Sequence, residues 1–320
     1  MPRYLRDSVI LAKVETTVGT DAIPTGAADA VLVSDLTITP LDAQNIDRDL
    51  VRGYFGASEQ LVGVASVKCG FTVELAGSGT AATAPQWGDL LLGCAFAESL
   101  LTVPSRVEYL PVTTPLKTLT IYYYDSGTLH KLLSAMGTCT LTAKVGERPM
   151  LKFEFTGLDG GISAATATGV FTSWKTPPAM TKANVVDITL GATYTAGAIA
   201  SGVLYASTGL EVMLGNQVVY TPLLSSETVD ITDRKSTGHM DLDLTAAQEV
   251  TFMATVKANT TQSLALTIGL AAGNKIILHA PAVQLINPTK QNINGRRLCG
   301  YDLRLVPGSA GNDELRIVTQ

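Results

Sequence analysis

Residues 61–75 read LVGVASVKCGFTVEL, and along them Leu61, Ala65, Val67, Cys69, Phe71, Val73 and Leu75 alternate with Ser66, Lys68, Thr72 and Glu74. A period of two sends successive side chains to opposite faces, so this stretch predicts one long strand, apolar on one side and polar on the other. At strand rise it extends for roughly 50 Å, where an ordinary strand has about 5–6 residues, so it outruns the domain that carries it. Its predicted partner is 31–41, with Leu36 and Ile38 on one face. The intervening 42–60 is too long for a tight hairpin turn and becomes a candidate inter-subunit contact arm, carrying Asp47, Arg48, Asp49 and Arg52.

The bulk composition points the same way. The chain is 46% hydrophobic and 16% charged, against a usual charged share of about 25%, which implies surface covered by something other than water. Self-association explains that with the fewest assumptions. Runs of Thr, Val, Ala, Gly and Leu favour strands and turns over helices, because β-branched side chains fit a pleated surface. The 320 residues allow one large domain or two of about 150, either able to bury a core.

The net charge of -5 comes from 28 acidic and 23 basic residues, and adjacent basic pairs such as Arg296-Arg297 are few and isolated, so no phosphate-neutralising stripe is built. Mild acidity suits a wall past which nucleic acid slides, and equally an ordinary soluble protein. Cys69, Cys94, Cys139 and Cys299 lie far apart without C-x-x-C spacing, which predicts buried reduced thiols and no zinc site or disulfide framework. The apolar run 9–12 is too short for a signal segment, so synthesis in the cytosol without export is expected. The uncharged stretch 191–207 is rich in Gly, Thr and Ser and predicts a linker or edge strand, not a membrane span.

Along the rest of the chain, Pro85 followed by Trp87, Leu90, Leu91 and Cys94 predicts a short amphipathic helix. Strands are predicted at 116–124, at 138–145 with Cys139, Leu141, Ala143 and Val145 inward, and at 150–155, the last two joined by a hairpin loop at 146–149. Residues 160–207, with Pro177-Pro178, predict a connector holding at most one strand, 185–190. Beyond it, 210–214 and 217–221 flank Gly215-Asn216, a pair suited to a two-residue hairpin turn, and a polar loop then leads to a strand at 238–244. In that strand Met240, Leu242 and Leu244 point inward and His239, Asp241 and Asp243 outward. Thr245 with Gln248 three residues on forms a capping box that opens a helix to about Lys257, and strands follow at 263–268, 275–279 and 298–306.

Both halves thus run strand, long polar loop, strand, helix, strands, and Ile46-Asp47-Arg48 echoes Ile231-Thr232-Asp233-Arg234. The order predicts an internal duplication, with one β domain at 31–159 and another at 208–306, joined by 160–207 and flanked by arms at 1–30 and 307–320. An order of short strands and helices of this kind also arises by chance in α+β chains.

Catalytic and ligand motifs are poorly represented. His130, His239 and His279 are the only histidines and none sits in a nucleophile–base signature. The run 269–275, GLAAGNK, lacks the Lys-Ser/Thr ending of a phosphate-binding loop and reads as a turn. His239, Asp241 and Asp243 form the best metal candidate, since alternate strand positions aim all three to one face, but a solvated strand face explains them more simply. Tyr122, Tyr123 and Tyr124 could stack bases only within a basic groove, and packing is the plainer expectation.

Several stretches, in their order, resemble tail tube proteins of long-tailed, non-contractile bacteriophages. They are Arg3-Tyr4-Leu5 with 9–14, 31–40, Val51-Arg52-Gly53-Tyr54-Phe55-Gly56, Ala84-Pro85-Gln86-Trp87-Gly88 and Phe153-Glu154-Phe155-Thr156-Gly157. The second half adds 241–258 with Asn259-Thr260-Thr261, Ala272-Gly273-Asn274-Lys275 and Ala280-Pro281-Ala282-Val283-Gln284. These are framework motifs without catalytic content, and they span nearly the whole chain.

The resemblance implies a mainly β fold with short α segments: two packed β-sheets with a flanking helix. It implies rings whose inner strands join into one barrel, and rings stacked into a tube that conducts DNA from capsid to host. The expected role is a structural virion protein of the tail, assembled in the host cytoplasm, with no enzymatic activity and no cofactor. Its expected partners are further copies of itself, the tail terminator and tip proteins, the tape measure protein and then DNA in the lumen, with no membrane. Candidate lumen-facing residues are Lys68, Glu74, Asp241 and Asp243. If both halves are tube domains, three chains close a ring of approximate sixfold symmetry; six chains with the second half outside is the alternative. The rival functions are another virion β-protein, such as a capsid decoration or tail terminator protein, and a carbohydrate-binding or hydrolytic β-domain.

Overall fold

The computed structural model describes residues 3–320. The first half contains β1 (Val9–Val14), β2 (Ala30–Val31), β3 (Ser34–Ile46), β4 (Leu61–Glu74), α1 (Gly88–Leu92), β5 (Phe96–Thr102), β6 (Ser105–Pro111), β7 (Leu119–Asp125), β8 (Thr128–Lys144) and β9 (Met150–Ala164). The second contains β10 (Val185–Leu190), β11 (Thr193–Thr195), β12 (Ala198–Ala200), β13 (Val203–Tyr205), β14 (Ser207–Met213), β15 (Asn216–Leu223), β16 (Ser226–Arg234) and β17 (Thr237–Leu242). It closes with α2 (Ala246–Lys257), β18 (Thr261–Ile268), β19 (Ile276–Ile293), β20 (Arg296–Leu305) and β21 (Arg316–Thr319).

The alternation in 61–75 becomes β4, whose Val67, Cys69, Phe71 and Val73 are buried. Period-two patterning sets register, because a slip of one residue would turn this apolar row to solvent. The row continues across the sheet: Val73 lies opposite Leu151, then Leu141, Val212, Gly238, Leu303 and Leu285 in successive strands. All seven are buried, so one apolar core runs under both halves of the chain. The Phe71, Phe153 and Phe155 rings cluster at centroid separations of 5.8–6.0 Å beneath the first half. In the second half Phe252 of α2 packs into the core 5.2 Å from Tyr205 and 5.7 Å from Tyr301.

The same antiparallel pairing order occurs twice. In the first half it is β1–β7–β8–β9–β4–β3. In the second it is β10–β18–β19–β20–β17–β14. Even an irregularity repeats. The β8–β9 ladder shifts between Leu133 and Met136 around Ser134, and the β19–β20 ladder shifts between Ile286 and Thr289 around Asn287. Ser134 and Asn287 both have φ of 48°, a left-handed conformation that marks each shift as a bulge. The two halves are joined directly, since Thr140 to Lys144 of β8 pair with Met213 to Gly209 of β14.

Several local expectations are corrected. Gly215-Asn216 is not a hairpin turn: β14 runs on into β15, and the chain reverses at Leu224-Ser225, between the paired Leu223 and Ser226. Gly215 takes a φ of 64°, which kinks the strand, while the Asn216 Nδ2 donates to the carbonyls of Cys94 at 2.8 Å and Gly137 at 2.9 Å and pins the kink in place. The polar loop expected before 238 is therefore strand β16. The connector 160–207 holds β10 and also β11, β12 and β13, while β9 runs to Ala164, because small Thr and Ala residues serve in strands where a neighbour supplies the packing. Val145, expected inward, lies past the end of β8 and is exposed. The β5–β6 hairpin is unforeseen, and the terminal strands β1 and β21 belong to the main sheet.

Candidate functional site

The face opposite the core is mostly polar and continues across both halves. Glu74 lies opposite Met150, and the row continues through Thr142, Glu211, His239, Asp302 and Ile286. The next row holds Thr72, Lys152, Thr140, Met213, Thr237, Arg304 and Gln284. Side chains on alternate residues of hydrogen-bonded strands share a face, so both rows lie on one surface. That surface is eight strands wide, in the order β3–β4–β9–β8–β14–β17–β20–β19.

Lys68, Glu74 and Asp241 are brought together on this surface. Lys68 pairs with Asp42 at 2.5 Å and stands opposite Thr39 and Thr156. Glu74 pairs with Arg148, and Asp243 sits just past the end of β17, at the rim, where it pairs with Arg296. Like Lys68, Lys144 and Lys152 have carboxylates close by, at 3.4 Å from Glu211 and 2.8 Å from Glu154, whereas Arg304 makes no salt bridge among the described residues. Such partly exposed pairs add at most about 1 kcal/mol each to stability; their effect on the surface is to cancel field locally.

His239 occupies the centre of the second half's surface. Its Nδ1 lies 2.9 Å from Asp302 Oδ1 and its Nε2 3.2 Å from Asp241 Oδ1. Burial favours the neutral ring, but the two carboxylates outweigh it and hold the imidazole above its ordinary pKa. Asp302 is pushed below the usual carboxylate range by His239 and by the amide of Asn287, which donates at 3.0 Å. Both ring nitrogens are thus engaged by protein carboxylates.

Asp47, Arg48, Asp49 and Arg52 lie in or beside the loop 47–60 that caps the β3–β4 hairpin. Arg48 pairs with Glu59, Arg52 reaches the same carboxylate at 3.2 Å, and Gln60 donates to Asp47. Between these ties Val51, Tyr54 and Phe55 stand exposed, Val51 and Phe55 fully so. The sequence reading described this loop as polar; its tip is apolar.

A second extended hairpin, β15–β16, was missed. It ends in exposed Leu223 and Leu224, and its body lies against β8 and β9 of the first half. The alternation of Val218 and Tyr220 against Val229 and Ile231 was the available signal, hidden by the turn-like Gly215-Asn216. Glu211, Asp302 and Lys152 were also passed over as members of the polar face. Tyr122 and Tyr123, weighed as base-stacking residues, are buried, with the Tyr122 hydroxyl donating to Asp21. The four cysteines are buried and unpaired, and burial pushes the Cys69 thiol up to about 12. Among the described residues no helix is long and apolar enough to cross a membrane.

The polar groups lie across one broad face of a sheet-built scaffold. The family model of the phage tail tube protein matches residues 6–298, and the chain belongs to that family, a structural component of the virion tail whose members assemble into tubes. No curated protein matches the chain.

Proposed function

We propose that this chain is the tube subunit itself, that each chain contributes two tube domains, and that three chains close a ring around a DNA-conducting lumen. The observation that carries this is the polar face running without a break through the β8–β14 junction. It leaves an open strand edge at each end. Among the described residues β3 pairs with β4 alone, and 287–293 of β19 pair with β20 alone.

Open edges of this length invite pairing with another chain, and ring closure removes them. Within the chain, β8 of the first half already pairs with β14 of the second. In the repeated order β19 corresponds to β8 and β3 to β14, so β19 of one copy meets β3 of the next in the same manner. The contact is head-to-tail and closes when the rotation closes.

Barrel geometry supports three copies when all eight strands of each chain line the lumen. With strands about 4.8 Å apart and tilted by about 40°, a barrel of eight has a backbone radius of about 8 Å and is filled by its own side chains. Sixteen strands give about 16 Å, which after side chains leaves room for little more than a bare duplex; twenty-four give about 24 Å and a hydrated passage. Six chains with all eight strands inward would give about 48 Å, far wider than DNA needs. Three chains fit.

The lumen wall is then the surface bearing Lys68, Glu74, Glu211, Asp241 and Asp302, with most of its lysine charges cancelled at short range so that phosphates slide past without being held. No residue performs chemistry; the mechanism is closure and stacking. Assembly takes place in the host cytoplasm, and the ends of the tube meet terminator and tip proteins. Negative-stain microscopy of purified protein tests this against the rival virion roles. Long hollow tubes or stacked rings are expected, and a preparation that stays monomeric at every concentration and salt, or caps without elongating, would contradict it.

A further inference from the structure

The β15–β16 hairpin leaves the second half and crosses the first. Its root is fixed by Leu214 N–H donating to the Cys139 carbonyl at 3.0 Å, by the Asn216 N–H donating to Thr138 Oγ1 at 3.3 Å, and by the Asn216 amide on Cys94 and Gly137. From there it lies on β8 and β9, Val229 is buried, and the Tyr220 hydroxyl is buried beside the Ala65 backbone on β4. The hairpin therefore crosses strands in the order β8, β9, β4. These are the strands that lie beyond β14 in the sheet.

The arm at 47–60 extends the β3–β4 hairpin just as β15–β16 extends β14 and β17, yet its apolar tip touches nothing. Val51 and Phe55 are fully exposed and Tyr54 largely so. Uncovered apolar side chains clustered at a loop tip mark a contact surface.

We infer that this arm docks sideways across the second half of a neighbouring copy in the same ring, crossing β19, β20 and β17, as the β15–β16 hairpin crosses β8, β9 and β4 within the chain. The inference rests on the three-chain ring. The shared bulge fixes where the arm lands. Gly137 stands three residues beyond Ser134 and Lys290 three beyond Asn287. Thr156 and Gly300 close the two shifted ladders, and Ala65 and Gly238 occupy matching places on β4 and β17. The landing zone is thus Gly238, Gly300 and Lys290 with Gln291. A ring built this way is locked by its arms before any second ring is added.

The test places p-benzoylphenylalanine at Phe55, and in a second variant at Val51, with Leu100 on β5 as an exposed control. Isotopically heavy and light chains are mixed, assembled, and irradiated both as isolated single rings and as tubes. Expected are heavy-to-light adducts from both arm positions to 237–242 or 286–305, in single rings and tubes alike, and none from Leu100. Adducts found only in tubes, or mapping to the first half of another chain, overturn the lateral docking while leaving the ring intact. Rings of six chains, or no rings with any variant or the unmodified chain, overturn the underlying ring and this inference with it.

Discussion

Replacing Glu211 by Lys should make the lumen adhesive without harming the ring. Glu211 lies in the central polar row, opposite Thr142 and His239, and its one salt-bridge partner, Lys144, is 3.4 Å away in a partly exposed pair. Losing that pair costs at most about 1 kcal/mol, so folding and assembly should survive. Asp241 is a poorer choice because it holds both His239 and the Thr208 hydroxyl. The 14 residues of β4, at about 3.3 Å each and tilted by about 40°, span about 35 Å of axis. A duplex presents about 20 phosphates over that length. The substitution shifts the wall by two charge units per chain, about six per three-chain ring; if half find phosphates, about three contacts form in every ring. Affinity with three contacts falls about 40-fold between 50 and 200 mM salt. DNA ejection from phage carrying Glu211→Lys, followed by dye fluorescence, should be slow at 50 mM and recover at 200 mM. Ejection at the normal rate at low salt, or a defect insensitive to salt, would refute the placement of this face on the lumen.

Three further outcomes follow from the geometry. His239 has a folded-state pKa above its unfolded value, so its contribution is present in full below about pH 6.5 and is lost as pH rises through the folded pKa; thermal melts should fall from pH 6 to pH 8 more in the unmodified protein than in His239→Gln, and parallel curves would contradict this. Asn216→Ala strands the Cys94 and Gly137 carbonyls in a buried site and should cost about 2–4 kcal/mol in urea unfolding, whereas a loss under 0.5 kcal/mol would show that the kink holds without its side chain. Burial of all four cysteines predicts that a thiol reagent labels none of them in minutes under native conditions and all four in denaturant, and fast native labelling of Cys69 or Cys139 would place them outside the core.

The main sheet was legible wherever one face is buried and the other wet, because that is when sequence period and strand geometry coincide. Residues 61–75 gave β4 almost to its ends, and Thr245 with Gln248 gave the start of α2, where both hydrogen bonds of the capping box form. Legibility failed where the partner strand is distant in sequence. The β8–β14 junction depends on Leu141 meeting Val212, and no local pattern records that pairing. It failed again at Gly215-Asn216, where a left-handed glycine serves a kink and not a reversal, because the Asn216 amide finds its acceptors on the first half. Of the site, Lys68, Glu74 and Asp241 were visible as outward residues of alternating strands. That they share one continuous surface with Glu211 and Asp302 was visible only once the strands were paired.

The account stands on three chains closing each ring through the β3 and β19 edges. The most direct measurement is the mass of a single ring by native mass spectrometry, read beside the rotational symmetry of a tube cross-section from cryo-electron microscopy. Three chains are predicted, with true threefold and approximate sixfold symmetry and an inner wall formed alternately by first and second halves. Six chains per ring, with the second half projecting outward and β19 facing solvent, would contradict it.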